Sequence, residues 1–268
     1  MEKISILFIG AGRMAEAIFA GIIRHQPETF DKIIISNQQD KERLEALKQT
    51  YGVITTHDWT SAVSHVDVIL LACPPGAHHD VLKTLNPLLT DQFVVTVAAG
   101  IGPSILEASL PSHTPVAWVM PNTAAVIGES MTIYTYGSHV EEHHRRILET
   151  ILATIGSFEE LTEKQVHQLT AVTGSAPAFF YLFAEALEQA ALSYELKPEQ
   201  ARKLVIQMLA GSAKMLTKYQ NPALLRDQVT SPGGSTAAGL DSLRKDQLER
   251  AILNAVNASN ARAQELAK

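Results

Sequence analysis

Residues 4–23 read ISILFIGAGRMAEAIFAGII. Ile4 to Ile9 form an apolar run, rich in isoleucine, that stops at a glycine, as a short buried parallel strand does. The spacing of Met14, Ile18 and Ile22 then predicts a helix. Between the two, Gly10, Gly12 and Ala15 stand in the order G-x-G-x-x-A. Each small residue has a physical task there. Gly10 makes a tight turn, Gly12 lets a diphosphate approach the backbone, and Ala15 lets the helix pack close to the strand. The first helical turn, at Arg13 and Met14, presents free N–H groups to the phosphates. The chain is therefore expected to open with a dinucleotide-binding unit.

Working outward, strand and helix patterns alternate. KIIIS (32–36), DVILLAC (67–73), FVVTVAA (93–99), TPVAWVM (114–120) and MTIYTY (131–136) read as strands. DKERLEALKQTY (40–51) and HDVLKTLNPLL (79–89) read as helices. That alternation implies an α/β Rossmann domain, a doubly wound parallel sheet with right-handed crossovers. From Thr162 the pattern changes. Thr162 to Gln165 spell a capping box, a helix start. Segments 176–192, 197–216, 222–229 and 245–267 follow with helical period, and Pro198 suits the first turn of its helix. Two domains are expected: residues 1–160 for dinucleotide binding and residues 161–268, all-α.

The end of the second strand bears on the choice of cofactor. An NAD enzyme usually places Asp or Glu there, to bond the ribose 2′-hydroxyl. Here Ser36 and Asn37 occupy the slot, and an acid appears only at Asp40. Neutral hydrogen-bonding residues with Lys41 and Arg43 close by tolerate a 2′-phosphate, so NADP(H) is expected in preference to NAD(H). Lys41 and Arg43 also read as the solvated face of their helix, Arg43 above all, so the expectation does not rest on Arg43.

The formal net charge is −6, which argues against nucleic acid as a partner. Residues 1–160 carry 10 Lys/Arg against 18 Asp/Glu, and the remainder 12 against 10, so two units with different surfaces are expected. The one cysteine, Cys73, excludes an internal disulfide and fits the reducing cytoplasm. The opening apolar run is too short for a signal peptide. The longest uncharged stretch, Gln165 to Ala184, is too polar to span a membrane. The pairs His78/His79 and His143/His144 read as solvated positions at helix starts and on charged faces. Neither has the spacing of a zinc site, and no metal is expected.

One segment interrupts the helical half: DQVTSPGGSTAAGL, residues 227–240. Glycines expose backbone donors, and a turn between helices can form an anion-binding nest. Its other reading is a glycine-rich connection with a Ser or Thr cap. This stretch, with TVAAGI (96–101), VMPNTAAVIGES (119–130) and LTAVTGSAPAFFYLFAEALEQAAL (169–192), resembles the pyrroline-5-carboxylate reductase family over nearly the whole chain.

The resemblance implies a Rossmann domain followed by a helical dimerisation and substrate domain. It implies NAD(P)H-dependent reduction of a cyclic imine to proline. It further implies a homodimer of interleaved helical domains, sometimes built into a ring of dimers, with the active site between the nicotinamide and the partner's helical domain. Carried onto this chain, it assigns the substrate carboxylate to Thr230, Ser231, Gly233, Gly234, Ser235 and Thr236. The Thr236 hydroxyl would point at the ring nitrogen as the catalytic contact. Cofactor contacts fall on Gly10, Gly12, Arg13, Met14, Ser36, Asn37, Ala72, Pro74, Ala99, Gly100 and Asn122.

The chain departs from the family pattern at several places. Pro74 stands at a usual lysine, Trp118 at a usual arginine, and Ala124 at a usual proline. Ala176 replaces a usual glycine and Phe179 a usual tyrosine. These departures motivate two alternatives: a paralogue acting on another cyclic imine, and a non-catalytic NADP-binding regulator. A β-hydroxyacid dehydrogenase is disfavoured, because the lysine such enzymes place four residues after a glycine is here Ala178, after Gly174.

Overall fold

A computed structural model describes residues 3–266. Its sheet contains β1 (Ile4–Ile9), β2 (Phe30–Ser36), β3 (Ile54–Thr56), β4 (Val68–Leu71), β5 (Phe93–Thr96), β6 (Val116–Met120), β7 (Ser130–Tyr136) and β8 (Gly156–Glu160). The spatial order is β3-β2-β1-β4-β5-β6-β7-β8. β1 lies between β2 and β4, so the strand order reverses at its carboxyl end, where open α/β sheets bind ligands. Helices α1 (Arg13–His25), α2 (Lys41–Tyr51), α3 (His78–Leu85), α4 (Pro103–Ser109), α5 (Glu142–Ala153) and α6 (Glu163–Thr170) accompany the sheet.

Strand alternation builds two cores. Ile6, Phe8, Val68, Leu70, Phe93 and Val95 face one side, packed with Ile18, Phe19 and Ile22 of α1 and Leu148 of α5. Leu7, Ile9, Ile69, Leu71 and Val94 face the other, packed with Leu82 and Leu85 of α3 and Leu106 of α4. Because both faces are covered, these strands read as continuous apolar runs. Phe8 is fully buried with its ring edge-on to Phe19, and truncating it to Ala would cost about 3–5 kcal/mol.

The sheet differs from the expectation in three respects. β7 runs antiparallel to β6, while the other pairings are parallel. β3 is too short to show a period. β8 is an edge strand with a largely polar sequence, recruited by pairing to β7.

The helical part comprises α7 (Ala176–Leu192), α8 (Pro198–Tyr219), α9 (Pro222–Gln228), α10 (Ser235–Lys245) and α11 (Leu248–Leu266). Contacts divide the chain into a first unit, running to Ser175 and including the chain from Ser259, and a second unit, Ala176 to Ala258. In the first unit Asn260 Nδ2 donates to the Gln168 carbonyl at 2.7 Å and its Oδ1 accepts from Ala171 N at 3.2 Å. Val166 of α6 packs with Trp118, Met120 and Ile133. Ala267, included in the expected last helix, lies outside the described residues.

The second unit leaves much apolar surface open: Phe180, Tyr181, Leu182 and Phe183 of α7, Leu204 and Ile206 of α8, and Ile252 and Leu253 of α11 are exposed in the single chain. α7 buries none of its residues. A contiguous apolar surface of this kind on a single chain marks an interaction surface, so this unit needs a further partner. Among the described residues no helix is long and apolar enough to cross a membrane.

Two of the four histidines expected on the surface are buried. His78 is 1% exposed and His144 is 8% exposed. His144 is the third residue of α5; its Nδ1 accepts from Glu141 N at 3.1 Å, and its ring lies 5.1 Å from that of Phe93. The capping geometry turns the imidazole inward, beneath the helix. His79 and His143 are exposed.

Candidate cofactor and substrate sites

The carboxyl ends of β1, β2 and β4 meet around Gly10. Gly10 N donates to Ser36 O at 3.0 Å, and Ala72 N donates to Ile9 O at 2.9 Å. Gly10 has φ +117°, and a Cβ there would sit 2.6 Å from Ala72 O. Both the turn and the close approach therefore require glycine. Gly12 is different. It caps α1 with φ −72°, which any residue adopts, and no atom lies within 4 Å of where its Cβ would be. The fold itself does not require glycine there; a phosphate lying against the backbone would. The first-turn N–H groups of Arg13, Met14 and Ala15 have no intrahelical acceptor, and Glu16 N is the first to bond back, to Gly12 O at 3.0 Å. These residues fit a dinucleotide diphosphate.

At the end of β2, Ser36 is buried and Asn37 half-buried. Asn37 Oδ1 accepts from Gln39 N and Asp40 N, both at 3.0 Å. Asp40 is spent as the cap of α2, its carboxylate accepting from Arg43 N at 2.8 Å. Arg43 is not the solvated cation expected. Its Nε donates to Ala11 O at 3.1 Å, and its guanidinium pairs with Glu16. Glu16 also accepts from the Tyr51 hydroxyl at 2.9 Å. Burial works to raise the Glu16 pKa, but the bonds from Arg43 and Tyr51 and the Arg43 charge outweigh it and hold the carboxyl below its usual value. Arg43 thus braces the glycine loop. Among the cations considered at this strand end, Lys41 is the exposed one.

Ala72 and Pro74 follow β4, with Cys73 between them. Burial pushes the Cys73 thiol up to about 11, so it stays protonated at neutral pH and is a poor nucleophile. Ala99 and Gly100 follow β5, and Gly100 has φ +84°. The preceding residue, Ala98, accepts on its carbonyl from Trp118 Nε1 at 2.8 Å. The indole of Trp118 is fully buried, its ring 4.5 Å from that of His167. After β6, Asn122 Oδ1 accepts from Ala124 N at 3.0 Å and its Nδ2 donates to Thr173 O at 3.1 Å. Every residue assigned to the cofactor therefore lies at or just beyond the carboxyl ends of β1, β2, β4, β5 and β6. The brace made by Arg43 and Glu16 was missed from the sequence. Its one local signal was the pairing of an acid in the first turn of α1 with an arginine in that of α2.

The second unit carries the glycine turn. Thr230 closes α9, with N donating to Asp227 O at 3.1 Å and Oγ1 to Arg226 O at 2.6 Å, so its hydroxyl is engaged. Ser231-Pro232-Gly233-Gly234 is a tight turn in which Gly234 N donates to Ser231 O at 3.0 Å. Proline at its second position and Gly233 at φ +70° at its third are the type II pattern. Gly234 then caps α10 without a side-chain bond. The expected turn over 230–236 is thus shorter. Ser235 and Thr236 are the first two residues of an 11-residue helix that the glycines and proline had concealed, and neither is its cap. Both are exposed. Their N–H groups, with that of Ala237, point out of the helix start without intrahelical acceptors. Five of the six assigned substrate residues thus gather on one turn and helix start that presents donors.

A sheet ordered 3-2-1-4-5-6 around a glycine loop, with a helical unit appended, defines a Rossmann-type NAD(P)-dependent oxidoreductase. Residues 5–100 match the family model described as NADP oxidoreductase coenzyme F420-dependent, and residues 163–266 match the one described as pyrroline-5-carboxylate reductase dimerisation. The chain is 35% identical over 269 residues to pyrroline-5-carboxylate reductase 1 of Bacillus subtilis, covering 100% of this chain and 91% of that one. It is 36% identical over 262 residues to pyrroline-5-carboxylate reductase 3 of Xenopus laevis, covering 97% and 95%. It superimposes on the NADP-bound pyrroline carboxylate reductase of Plasmodium falciparum with a TM-score of 0.89 at 29% identity, each chain covered in full. The chain belongs to the pyrroline-5-carboxylate reductase family.

Proposed function

We propose that this protein reduces 1-pyrroline-5-carboxylate to proline, the last step of proline biosynthesis, with NADPH preferred over NADH. The observation that carries the reading is the full-length relation to reductases of that name, together with a Gly12 that the fold alone does not need. Bound NADPH supplies the hydride. The α1 N-terminus and Gly12 hold its diphosphate, and Asn37, with no free acid beside it, accepts a 2′-phosphate. Ser231, Gly233 and Ser235 receive the substrate carboxylate through their donors, and Gly234, its own N–H held by Ser231 O, leaves room for the carboxylate to approach. The Thr236 hydroxyl bonds to the imine nitrogen and orients it, and an imine that arrives protonated needs no stronger acid from the chain.

In this reading residues 1–160 are the cofactor domain and residues 161–268 the dimerisation and substrate domain. The exposed apolar faces of α7, α8 and α11 are covered by a second copy, and rings of dimers are the larger assembly the family resemblance implies. We place the enzyme in the cytoplasm, where a lone thiol such as Cys73 stays reduced. The test is oxidation of NADPH and of NADH by the purified protein, with 1-pyrroline-5-carboxylate beside other cyclic imines. Turnover of another imine alone, or none with cofactor bound, would overturn the substrate assignment.

A further inference from the structure

His78 belongs to none of the contacts assigned above, yet it is buried between two of the loops that carry them. Its Nδ1 lies 3.1 Å from Pro74 O and 3.6 Å from Cys73 Sγ, and its Nε2 lies 2.9 Å from Thr96 Oγ1. Thr96 Oγ1 in turn accepts from Ala98 N at 3.2 Å. One hydrogen pattern satisfies the chain. A carbonyl can only accept, so Nδ1 carries the hydrogen. Nε2 of the neutral ring then accepts from the Thr96 hydroxyl, whose oxygen keeps a lone pair for Ala98 N–H. With Trp118 Nε1 on the Ala98 carbonyl, both backbone polar groups next to Ala99 are held by side chains.

We propose that His78 is a positioning residue for the cofactor: through Pro74 and Thr96 it ties segment 72–75 to segment 96–100 at the spacing the dinucleotide needs. The inference rests on the reading that the cofactor lies on Ala72, Pro74, Ala99 and Gly100. Burial holds the imidazole below its usual pKa, in keeping with the neutral ring that the bonding pattern requires.

The experiment measures the NADPH Kd by cofactor fluorescence, well below each variant's Tm. His78→Phe keeps an aromatic ring and loses both bonds; Thr96→Val keeps the shape and loses the hydroxyl. Each is expected to raise Kd about three- to tenfold, the loss of a hydrogen bond or so. The double variant should be little worse than either single, because the two residues act through one chain of bonds. His78→Gln, which offers an oxygen to the Thr96 hydroxyl, should recover part of the loss. A merely structural histidine would lower Tm and leave Kd alone; that result would overturn the proposal. If His78→Phe does not fold, Thr96→Val decides by itself. Ala99→Trp is the control on the underlying reading. If it abolishes binding while the other variants bind normally, only the positioning role falls. If it too binds normally, the loops are not the cofactor site.

Discussion

Replacing Thr236 by Val separates the two roles open to the glycine turn. Thr236 is the second residue of α10, is exposed, and its hydroxyl makes no bond among the described residues. The cap is Gly234, so no cap is lost; a Ser or Thr cap would have been worth about 0.5–2 kcal/mol. Valine keeps the β-branching and stands level with threonine among helix formers. The stability change should therefore stay within about 0.5 kcal/mol. Catalysis should respond differently. A hydrogen bond to a charged partner is worth about 1.5–3 kcal/mol. At 1.4 kcal/mol per decade, kcat/KM for 1-pyrroline-5-carboxylate should fall about tenfold to a hundredfold. The NADPH Kd should stay within about twofold, a few tenths of a kcal/mol. The assay is steady-state NADPH oxidation, paired with a urea melt. A stable variant with full activity on the imine would refute the assignment of Thr236, and a large loss of stability would refute the exposed, unbonded environment from which it was argued.

Gly10→Ala meets both a positive φ and the Ala72 backbone, so it should lose about 2–5 kcal/mol in a urea melt; a variant as stable as the parent would contradict the contact. Asn37→Asp keeps an acceptor for Gln39 N and Asp40 N and so preserves the loop, but it sets a carboxylate against a 2′-phosphate. The NADPH Kd should rise about tenfold or more while NADH binding improves, and unchanged preference would refute the cofactor reading. His144 is held neutral, chiefly by burial and then by His143, with its pKa pushed down to about 4 in the folded protein against 6.5 unfolded. The unfolded chain therefore binds the extra proton first. Stability is full above pH 6.5 and falls as the pH drops toward 4, by about 3 kcal/mol at most. Urea midpoints at pH 7.5 and pH 5 should differ, and His144→Gln, which still accepts from Glu141 N, should flatten the difference.

Much of this molecule follows from short-range pattern. The run Ile4–Ile9, the glycine spacing and the small Ala15 specify strand, turn and helix within a dozen residues, because each acts through backbone geometry that its neighbours do not alter. The capping box from Thr162 to Gln165 is equally local, and both of its bonds form. What the tertiary structure decided are matters of pairing and burial. β8 is a strand because β7 offers it an edge, although its own sequence has little strand character. β7 turns antiparallel because of its connection to β6, which no periodicity records. α10 begins behind two glycines and a proline that look like an ending, because a type II turn can lead straight into a helix. Arg43, His78 and His144 sit where polar residues on a helix start are ordinarily wet. Each is drawn inward by a partner remote in the chain or buried by its own cap: Ala11 and Glu16 for the first, Thr96 for the second, Glu141 and Phe93 for the third. Spacing along a chain reports which residues share a face; only the arrangement of strand ends above that face determines whether water reaches it.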